Sequence, residues 1–358
     1  MSAIRPIFDA HLDLAWSAIY FDRDLLLEVQ DVRRREQGMS DAPGRGCNTV
    51  TFPELQKAGV QWAIGTLLAR GGPAQPFRSS QKRMDLDYVN QIHAYAVAQG
   101  QLAYYRMLEK TGALRLIRTA DELESGATLG LILSMEGADP IVSPAQVQEY
   151  WDAGLRIVGP AHYGRSCYAY GTGVVGPLSS MGRELLREFE RVGMILDVTH
   201  LCDQSMAEAL DLFNGRVLAS HHNCRALVPG DRQLTDDQIK QLIQRDAVIG
   251  VALDAWMLHP HWIRGETMPA VVGLTAVVDQ IDHVCQLAGN VLHSGIGSDL
   301  DGGFGTEQTP HDLNTISDLQ KLAEILSARG YRDSDIDLIF HRNWLRFFHE
   351  ALPGAKPH

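Results

Sequence analysis

Short runs of apolar and β-branched residues recur at Ile4–Phe8, Val60–Leu68, Leu129–Met135, Leu155–Val158, Met194–Val198, Arg216–Ala219, Val248–Leu253 and Val291–Gly297. Runs of this length between polar stretches predict eight buried strands. Helical spacing of apolar positions predicts helices over Met84–Glu109, Pro144–Ala153, Met181–Val192, Asp203–Phe213, Thr235–Arg245 and Leu274–Leu287, with Leu313–Arg329 and Ser334–Leu352 after the last strand. Start signals support these limits: Ser143 precedes Pro144, and Thr235 stands three residues before Gln238 as in a capping box. Strands alternating with helices imply a parallel sheet with right-handed crossovers, and eight such units imply an α/β fold of the TIM (β/α)8 barrel type. No internal repeat and no linker rich in Pro, Gly or Ser divides the chain, so residues 1–358 are expected to form a single barrel domain. The charged stretch Phe21–Gly46 is expected to be a long first βα loop on the face of the barrel that carries active sites.

Composition narrows the partners. With 45% hydrophobic and 21% charged residues, the 358-residue chain is that of an ordinary globular enzyme. A formal charge of −12 disfavours nucleic acid or an anionic membrane, both of which reward clustered positive charge. The one basic cluster, Arg33-Arg34-Arg35, reads as a solvated helix face. Cys47, Cys167, Cys202, Cys224 and Cys285 contain no C-x-x-C pair, which points away from a cysteine metal site or a disulfide framework and towards a reducing compartment. Met1–Ala10 has no apolar signal core, and no run approaches the ~18 apolar residues of a membrane span, so a cytoplasmic protein is expected.

The chemistry lies just past the ends of the strands. His11 and Asp13 stand two residues apart after the first strand, a spacing that lets both point the same way from extended backbone. Glu136 closes the third strand, His200 follows the fifth, His221 the sixth, and Asp299 the eighth with Asp301 close behind. Each alone has a plainer explanation: a polar strand end, a turn carboxylate, a satisfied core histidine, an acidic turn. All of them fall at the carboxyl ends of strands of one barrel, where this fold carries its active sites, and coincidence is then the weaker account. Nitrogen and oxygen ligands without thiolate suit two zinc ions sharing a carboxylate. None of the six lysines lies at a predicted strand end to bridge the ions as a carbamate, which leaves Glu136 as the bridging candidate.

In these motifs the chain resembles the membrane dipeptidase family, the renal dipeptidase-like peptidases of family M19, among the metal-dependent hydrolase barrels. The resemblance runs from Asp9-Ala10-His11-Leu12-Asp13-Leu14-Ala15-Trp16 through Ser134-Met135-Glu136-Gly137 and Asp197-Val198-Thr199-His200 to Ser220-His221 and Gly297-Ser298-Asp299-Leu300-Asp301-Gly302. It implies two Zn2+ per chain, one bound by His11 and Asp13, the other by His200 and His221, with Glu136 bridging. It assigns the proton of the attacking water to Asp299, oxyanion stabilisation to His162 and the substrate carboxylate to Arg232. The implied activity is hydrolysis of dipeptides, L,D-dipeptides included, through a metal-bridging hydroxide, in an enzyme expected to form a homodimer.

Two departures bear on substrate choice. Better-known members have Asn-Phe-Tyr after the seventh strand, where this chain reads Gly250-Val251-Ala252-Leu253-Asp254-Ala255-Trp256, which puts Asp254 near the place of a substrate-contacting tyrosine. The segment His162-Tyr163-Gly164-Arg165-Ser166-Cys167-Tyr168 also lacks the usual asparagine-rich pattern. These differences keep open an amidohydrolase acting on N-acyl amino acids, and a non-catalytic peptide-binding homologue stands as a third reading, against which Asp299 argues. Cys202 and Cys224, near His200 and His221, are read as small buried spacers.

Overall fold

The computed structural model describes residues 4–72, 86–124 and 126–354. Among these are the strands β1 (Ile7–Leu12), β2 (Val60–Leu68), β3 (Leu114–Leu116), β4 (Leu129–Glu136), β5 (Leu155–Gly159), β6 (Ile195–Asp197), β7 (Val217–Leu218), β8 (Ile249–Val251) and β9 (Ser294–Ile296). They form one sheet in the order β7, β6, β5, β4, β2, β1, β9, β8, with β3 added beside β4. The pairs β1–β9, β4–β5, β5–β6, β6–β7 and β8–β9 are parallel. Helices α1 (Leu14–Tyr20), α2 (Val29–Arg35), α3 (Phe52–Ala58), α4 (Gln91–Lys110), α5 (Val147–Asp152), α6 (Ser180–Val192), α7 (Asp203–Leu212), α8 (Asp236–Gln244) and α9 (Leu274–Ala288) fall between strands, and α10 (Lys321–Ala328), α11 (Asp333–Asp337) and α12 (Asn343–Ala351) follow β9. The fold is the expected α/β barrel of the TIM type.

Local chemistry sets the limits of these elements. The Ser179 hydroxyl accepts from Gly182 N at 3.0 Å to start α6, and Gly193, left-handed at φ 85°, ends it. Its buried Leu185, Leu186 and Phe189 give the helix one apolar stripe. The Thr235 and Gln238 capping box opens α8 as the sequence predicts. Strand β1 is longer and later than the apolar run at Ile4–Phe8, because Asp9 and His11 are buried within it. The short β3 was not foreseen, and α2 interrupts the predicted loop Phe21–Gly46. The predicted helix Leu313–Arg329 divides into a 3-10 turn over Ile316–Gln320 and α10, and a π-helical turn over Leu338–Arg342 separates α11 from α12. The predicted start at Met84 lies outside the described residues.

The chain groups into two compact units. The first takes the described residues within 1–64, 125–130 and 220–347. There Phe8 of β1 stacks on Trp62 and Trp344, with ring centroids 6.5 Å and 6.0 Å away, and Trp344 Nε1 donates to Ile296 O at 3.1 Å. The backbone is tight where β8 and the residue after β9 meet Ser220, two residues beyond β7: a Cβ on Gly250 or Gly297 would lie 1.9 Å or 1.8 Å from Ser220 O. The second unit takes the described residues within 65–124, 131–219 and 348–358. In it Gln101 of α4 clamps Leu68, accepting from its N at 2.7 Å and donating to its O at 2.8 Å, and the Tyr105 hydroxyl donates to Thr66 O at 3.1 Å.

These approaches leave no room for a methyl group at Gly297. Gly297→Ala should cost roughly 3 kcal/mol or more through forced backbone displacement. The urea midpoint of the variant measures this, and an unchanged midpoint would contradict the packing described.

Candidate functional site

In the first unit, three elements deliver polar side chains to one place. His11 is the penultimate residue of β1, and Asp13 occupies the position before α1. His221 follows β7, and Asp299 follows β9 in left-handed backbone at φ 59°. His11 Nε2 lies 3.8 Å from Asp13 Oδ1 and 3.7 Å from Asp299 Oδ1, and the rings of His11 and His221 are 3.7 Å apart. Ligand atoms of His11, His221 and Asp299 all lie within 4.8 Å of one another. Ser220 Oγ is 2.9 Å from His221 Nδ1, which fixes the ring and leaves the other nitrogen to face the cluster.

In the second unit, Glu136 ends β4 in register with Gly159 of β5, His162 follows β5, and His200 follows β6. Ligand atoms of Glu136, His162 and His200 also lie within 4.8 Å of one another. Glu136 Oε1 is 3.0 Å from His200 Nε2 and 3.8 Å from His162 Nε2. Thr172 Oγ1 is 3.1 Å from His200 Nδ1, so this ring too is held from behind. His200 is left-handed at φ 69°, an uncommon state for a residue with a side chain and one that concentrates at functional turns. The donor sets of both groups are imidazole nitrogen and carboxylate oxygen without thiolate, and they are buried or nearly so, which fits zinc.

The remaining binding candidates, Arg232 and Asp254, belong to the first unit. Arg232 is buried, with Nη2 donating to His221 O at 3.0 Å, so its guanidinium is tied to the backbone of a candidate ligand. Beside it, burial and the charge of Arg232 hold the His222 imidazole well below its usual range. Asp254 precedes the 3-10 turn Ala255–Met257; its carboxylate accepts from Gln308 Nε2 at 2.8 Å and 3.0 Å and from Trp256 N at 3.4 Å. Arg264 Nε in turn donates to Gln308 Oε1 at 2.9 Å. Burial, opposed by the Gln308 hydrogen bond and the Arg264 charge, pushes the Asp254 carboxyl up to about 7. Cys202 and Cys224 are buried thiols directed at the carbonyls of Gly176 and Gln280, as spacers should be.

Sequence reasoning overlooked the supports. Asp9, inside β1, accepts from Ser298 N at 2.8 Å and His11 N at 3.2 Å, and a carboxylate within an apolar strand two residues before His11 was the available signal. Asp301 accepts from Thr49 N at 2.7 Å, Thr49 Oγ1 at 2.8 Å and Val50 N at 3.0 Å, tying the loop after β9 to the segment before α3. Asp139, three residues beyond Glu136, accepts from Gly71 N at 3.0 Å and Cys167 N at 2.9 Å. Burial raises its carboxyl to about 6 in spite of those bonds.

A barrel bearing imidazole and carboxylate clusters at strand ends defines a metal-dependent hydrolase by class. Residues 3–356 match the model of the membrane dipeptidase family, peptidase family M19, and the chain belongs to that family of metal-dependent dipeptidases. It is 28% identical over 370 residues to the dipeptidase aclJ of Aspergillus oryzae, covering 98% of this chain and 79% of that one. It is 29% identical over 262 residues to an uncharacterized Klebsiella pneumoniae protein from the region 5′ of pqqA, covering 69% of this chain and 93% of the relative. Against an uncharacterized dipeptidase of Schizosaccharomyces pombe, 28% identical over 60% of this chain, the match spans 51% of the relative's length. Among solved structures, a Rhodobacter sphaeroides metallo peptidase liganded with a phosphinate mimic of L-Ala-D-Ala superposes with a TM-score of 0.78 at 22% identity, over 97% of this chain and 99% of that one. Dipeptidase AC of family M19 gives 0.77 at 23% identity over 98% of this chain and all of its own. These structural likenesses establish the fold. No helix among the described residues is long and apolar enough to cross a membrane.

The buried carboxyls make stability depend on pH and on buried acceptors. Between about pH 4, where the unfolded Asp254 side chain ionises, and about pH 7, the folded protein retains a proton that the unfolded chain has lost, so stability falls as pH rises through this window. Asp254→Asn has no such proton, and the difference in urea stability between it and the parent should shift in the variant's favour from pH 5 to pH 8; a difference independent of pH would contradict the shift. Asp139→Ala removes acceptors of buried backbone N–H groups and should cost about 2–4 kcal/mol, read from the same unfolding curves at pH 7.

Proposed function

We propose that this protein is a zinc-dependent dipeptidase that hydrolyses the peptide bond of dipeptides, including those with a D-residue at the carboxyl end. The observation that carries this reading is the pair of histidine and carboxylate clusters at strand ends, in a chain belonging to the M19 family. On the family resemblance, His11 and Asp13 would hold one ion and His200 and His221 the other, with Glu136 as the shared carboxylate, while Asp299 and His162, which stand in the same clusters, are kept for the proton and the oxyanion. Glu136 suits that place because it already faces His200 at 3.0 Å and sits at the end of a strand rather than on a mobile side loop. When bound, two zinc ions supply an ionised water near neutral pH and polarise the scissile carbonyl.

The chain's own groups do the rest. Asp299, whose side chain is 15% exposed, takes a proton from the attacking water and returns it to the departing amine. His162, packed edge-on to His200 at 4.4 Å, donates from its ring to the carbonyl oxygen as negative charge develops there. Arg232 presents its planar fork to the free carboxylate of the substrate, and its bond to His221 O fixes the orientation of that fork. Asp254, where better-known members place a tyrosine, lines the substrate's other contacts. The Rhodobacter protein of the same fold is liganded with a phosphinate mimic of L-Ala-D-Ala, and inclusion of L,D-dipeptides among the substrates here is carried over from it by analogy. All five cysteines are free thiols, which suits the cytoplasmic setting we assign to the enzyme.

A panel of L,L-dipeptides, L,D-dipeptides and N-acyl amino acids, assayed with protein of measured zinc content, tests the proposal. Cleavage of dipeptides at two zincs per chain is the expected result. Two zincs with cleavage of N-acyl amino acids alone would move the assignment to an acylamino acid amidohydrolase, and turnover of nothing would leave a binding protein. Within the panel, Asp299→Asn should lower kcat roughly 10²–10⁴-fold while keeping its zinc. Arg232→Ala should raise KM so that kcat/KM falls about 10–100-fold. His200→Ala should lose about one zinc per chain by elemental analysis, and a variant retaining both ions would remove His200 from the ligand set.

A further inference from the structure

Resting on the dipeptidase reading, we propose that Tyr163 selects the side chain on the amino-terminal residue of the substrate, favouring an aromatic or branched apolar group. Tyr163 follows His162 directly, and its ring meets two candidate site residues edge-on: His162 at 4.8 Å and His200 at 5.0 Å. Although its neighbours in this cluster are buried or nearly so, Tyr163 remains 41% exposed. The ring therefore touches the histidine cluster and is also partly open to solvent, the disposition of a wall beside an entrance.

The wall is held in place. Gly164 N donates to Thr172 O at 2.9 Å, Thr172 N to His162 O at 3.1 Å and Gly171 N to Gly164 O at 2.8 Å, so the backbone on both sides of Tyr163 is bonded. Farther along, Ser166 N donates to Ala169 O at 2.9 Å, and the buried Asp139 carboxylate holds Cys167 N at 2.9 Å. Gly171 cannot carry a side chain, since its Cβ would lie 1.8 Å from His162 O. A ring fixed before the substrate arrives contributes its apolar contact without the cost of ordering it.

Chemistry identifies which side chain it meets. The carbonyl that accepts a hydrogen bond from His162 belongs to the amino-terminal residue of a dipeptide, and that residue's Cα is one bond from the carbonyl carbon. The acyl-side side chain starts two bonds from the carbonyl carbon and the departing residue's three, so a group adjoining His162 lies nearer the acyl-side substituent. A phenol edge and face reward an apolar or aromatic substituent there and give nothing to a glycyl residue.

The test compares kcat/KM for a phenylalanyl and a glycyl dipeptide sharing one carboxyl-terminal residue, using the full-length zinc-loaded protein, Tyr163→Ala and Tyr163→Phe. Calorimetric affinities of two phosphinate pseudodipeptides, with benzyl or hydrogen at the acyl position, are measured in parallel. The parent should prefer the benzyl member of each pair; Tyr163→Ala should reduce both preferences roughly tenfold, the kinetic loss falling on KM, and Tyr163→Phe should keep them. Equal losses for both substrates would show a structural role only and overturn the proposal, as would an unchanged preference in Tyr163→Ala or a lost one in Tyr163→Phe. A parent that splits neither dipeptide refutes the dipeptidase reading by itself, while the ratio of phosphinate affinities still decides the role of Tyr163.

Discussion

The arrangement in the first unit depends on one buried carboxylate, Asp9. It sits inside β1, where water cannot solvate it, and burial raises its pKa while the amides of Ser298 and His11 pull the other way. Those two amides belong to the ends of β9 and β1, so satisfying the carboxylate brings the two strand ends together. Asp299 N then donates to His11 O at 3.2 Å, one residue further along each strand. The proximity of His11 and Asp299 is therefore a consequence of hydrogen-bond satisfaction below them, in a region where an unpaired carboxylate would be prohibitively costly. Asp301 repeats the device above, using Thr49 and Val50 to hold the loop that follows Asp299.

The same logic orders the second unit by different means. Asp139 gathers the amides of Gly71 and Cys167, and so fixes the loop from which His162 and Tyr163 project. Glu136 itself is placed by the register of β4 on β5, which shifts between Leu133 and Ser134 and resumes with Glu136 opposite Gly159. Left-handed backbone is confined to turns, and among residues with side chains it occurs at His200, Asp299 and Asp301 in the candidate site. Each unit thus relies on strand ends for position and on buried acceptors for rigidity, and supports from behind, Ser220 and Thr172, set the ring orientation of its histidine.

The barrel was legible because eight apolar runs, each of strand length, alternate with helix-period segments, and each run coincides with or adjoins a strand. What escaped has physical causes. β1 is displaced because its carboxylate and imidazole are buried by pairing with β9, which a hydropathy pattern reads as the end of a strand. β3 has three residues and gains its order from pairing with β4. The C-terminal helices divide because Thr315 and Asp318 cap a local turn that periodicity alone cannot distinguish from a continuing helix. The candidate ligands were legible from their places after strands. Their meeting at one end of the barrel followed from the same places, whereas the particular neighbours, His11 with His221 and Asp299, depend on a strand order that hydropathy does not give.

Asp254 shows where sequence comparison and geometry part. A carboxylate in the place of a tyrosine suggests a new charge offered to substrate. In the fold that charge is already occupied: Gln308 donates to both of its oxygens, and Arg264 reaches from Gln308 Oε1 to Gly303 O at 3.1 Å. The chain of bonds joins the segment after β8 to the loop that carries Asp299 and Asp301, a connection a tyrosine could make with only one oxygen. A carboxyl raised to about 7 can be neutral or ionised near physiological pH, and in either state it retains Gln308 as a partner. The carboxylate therefore couples the segment after β8 to the loop after β9 through Gln308 and Arg264, a structural task that its place in the sequence does not disclose.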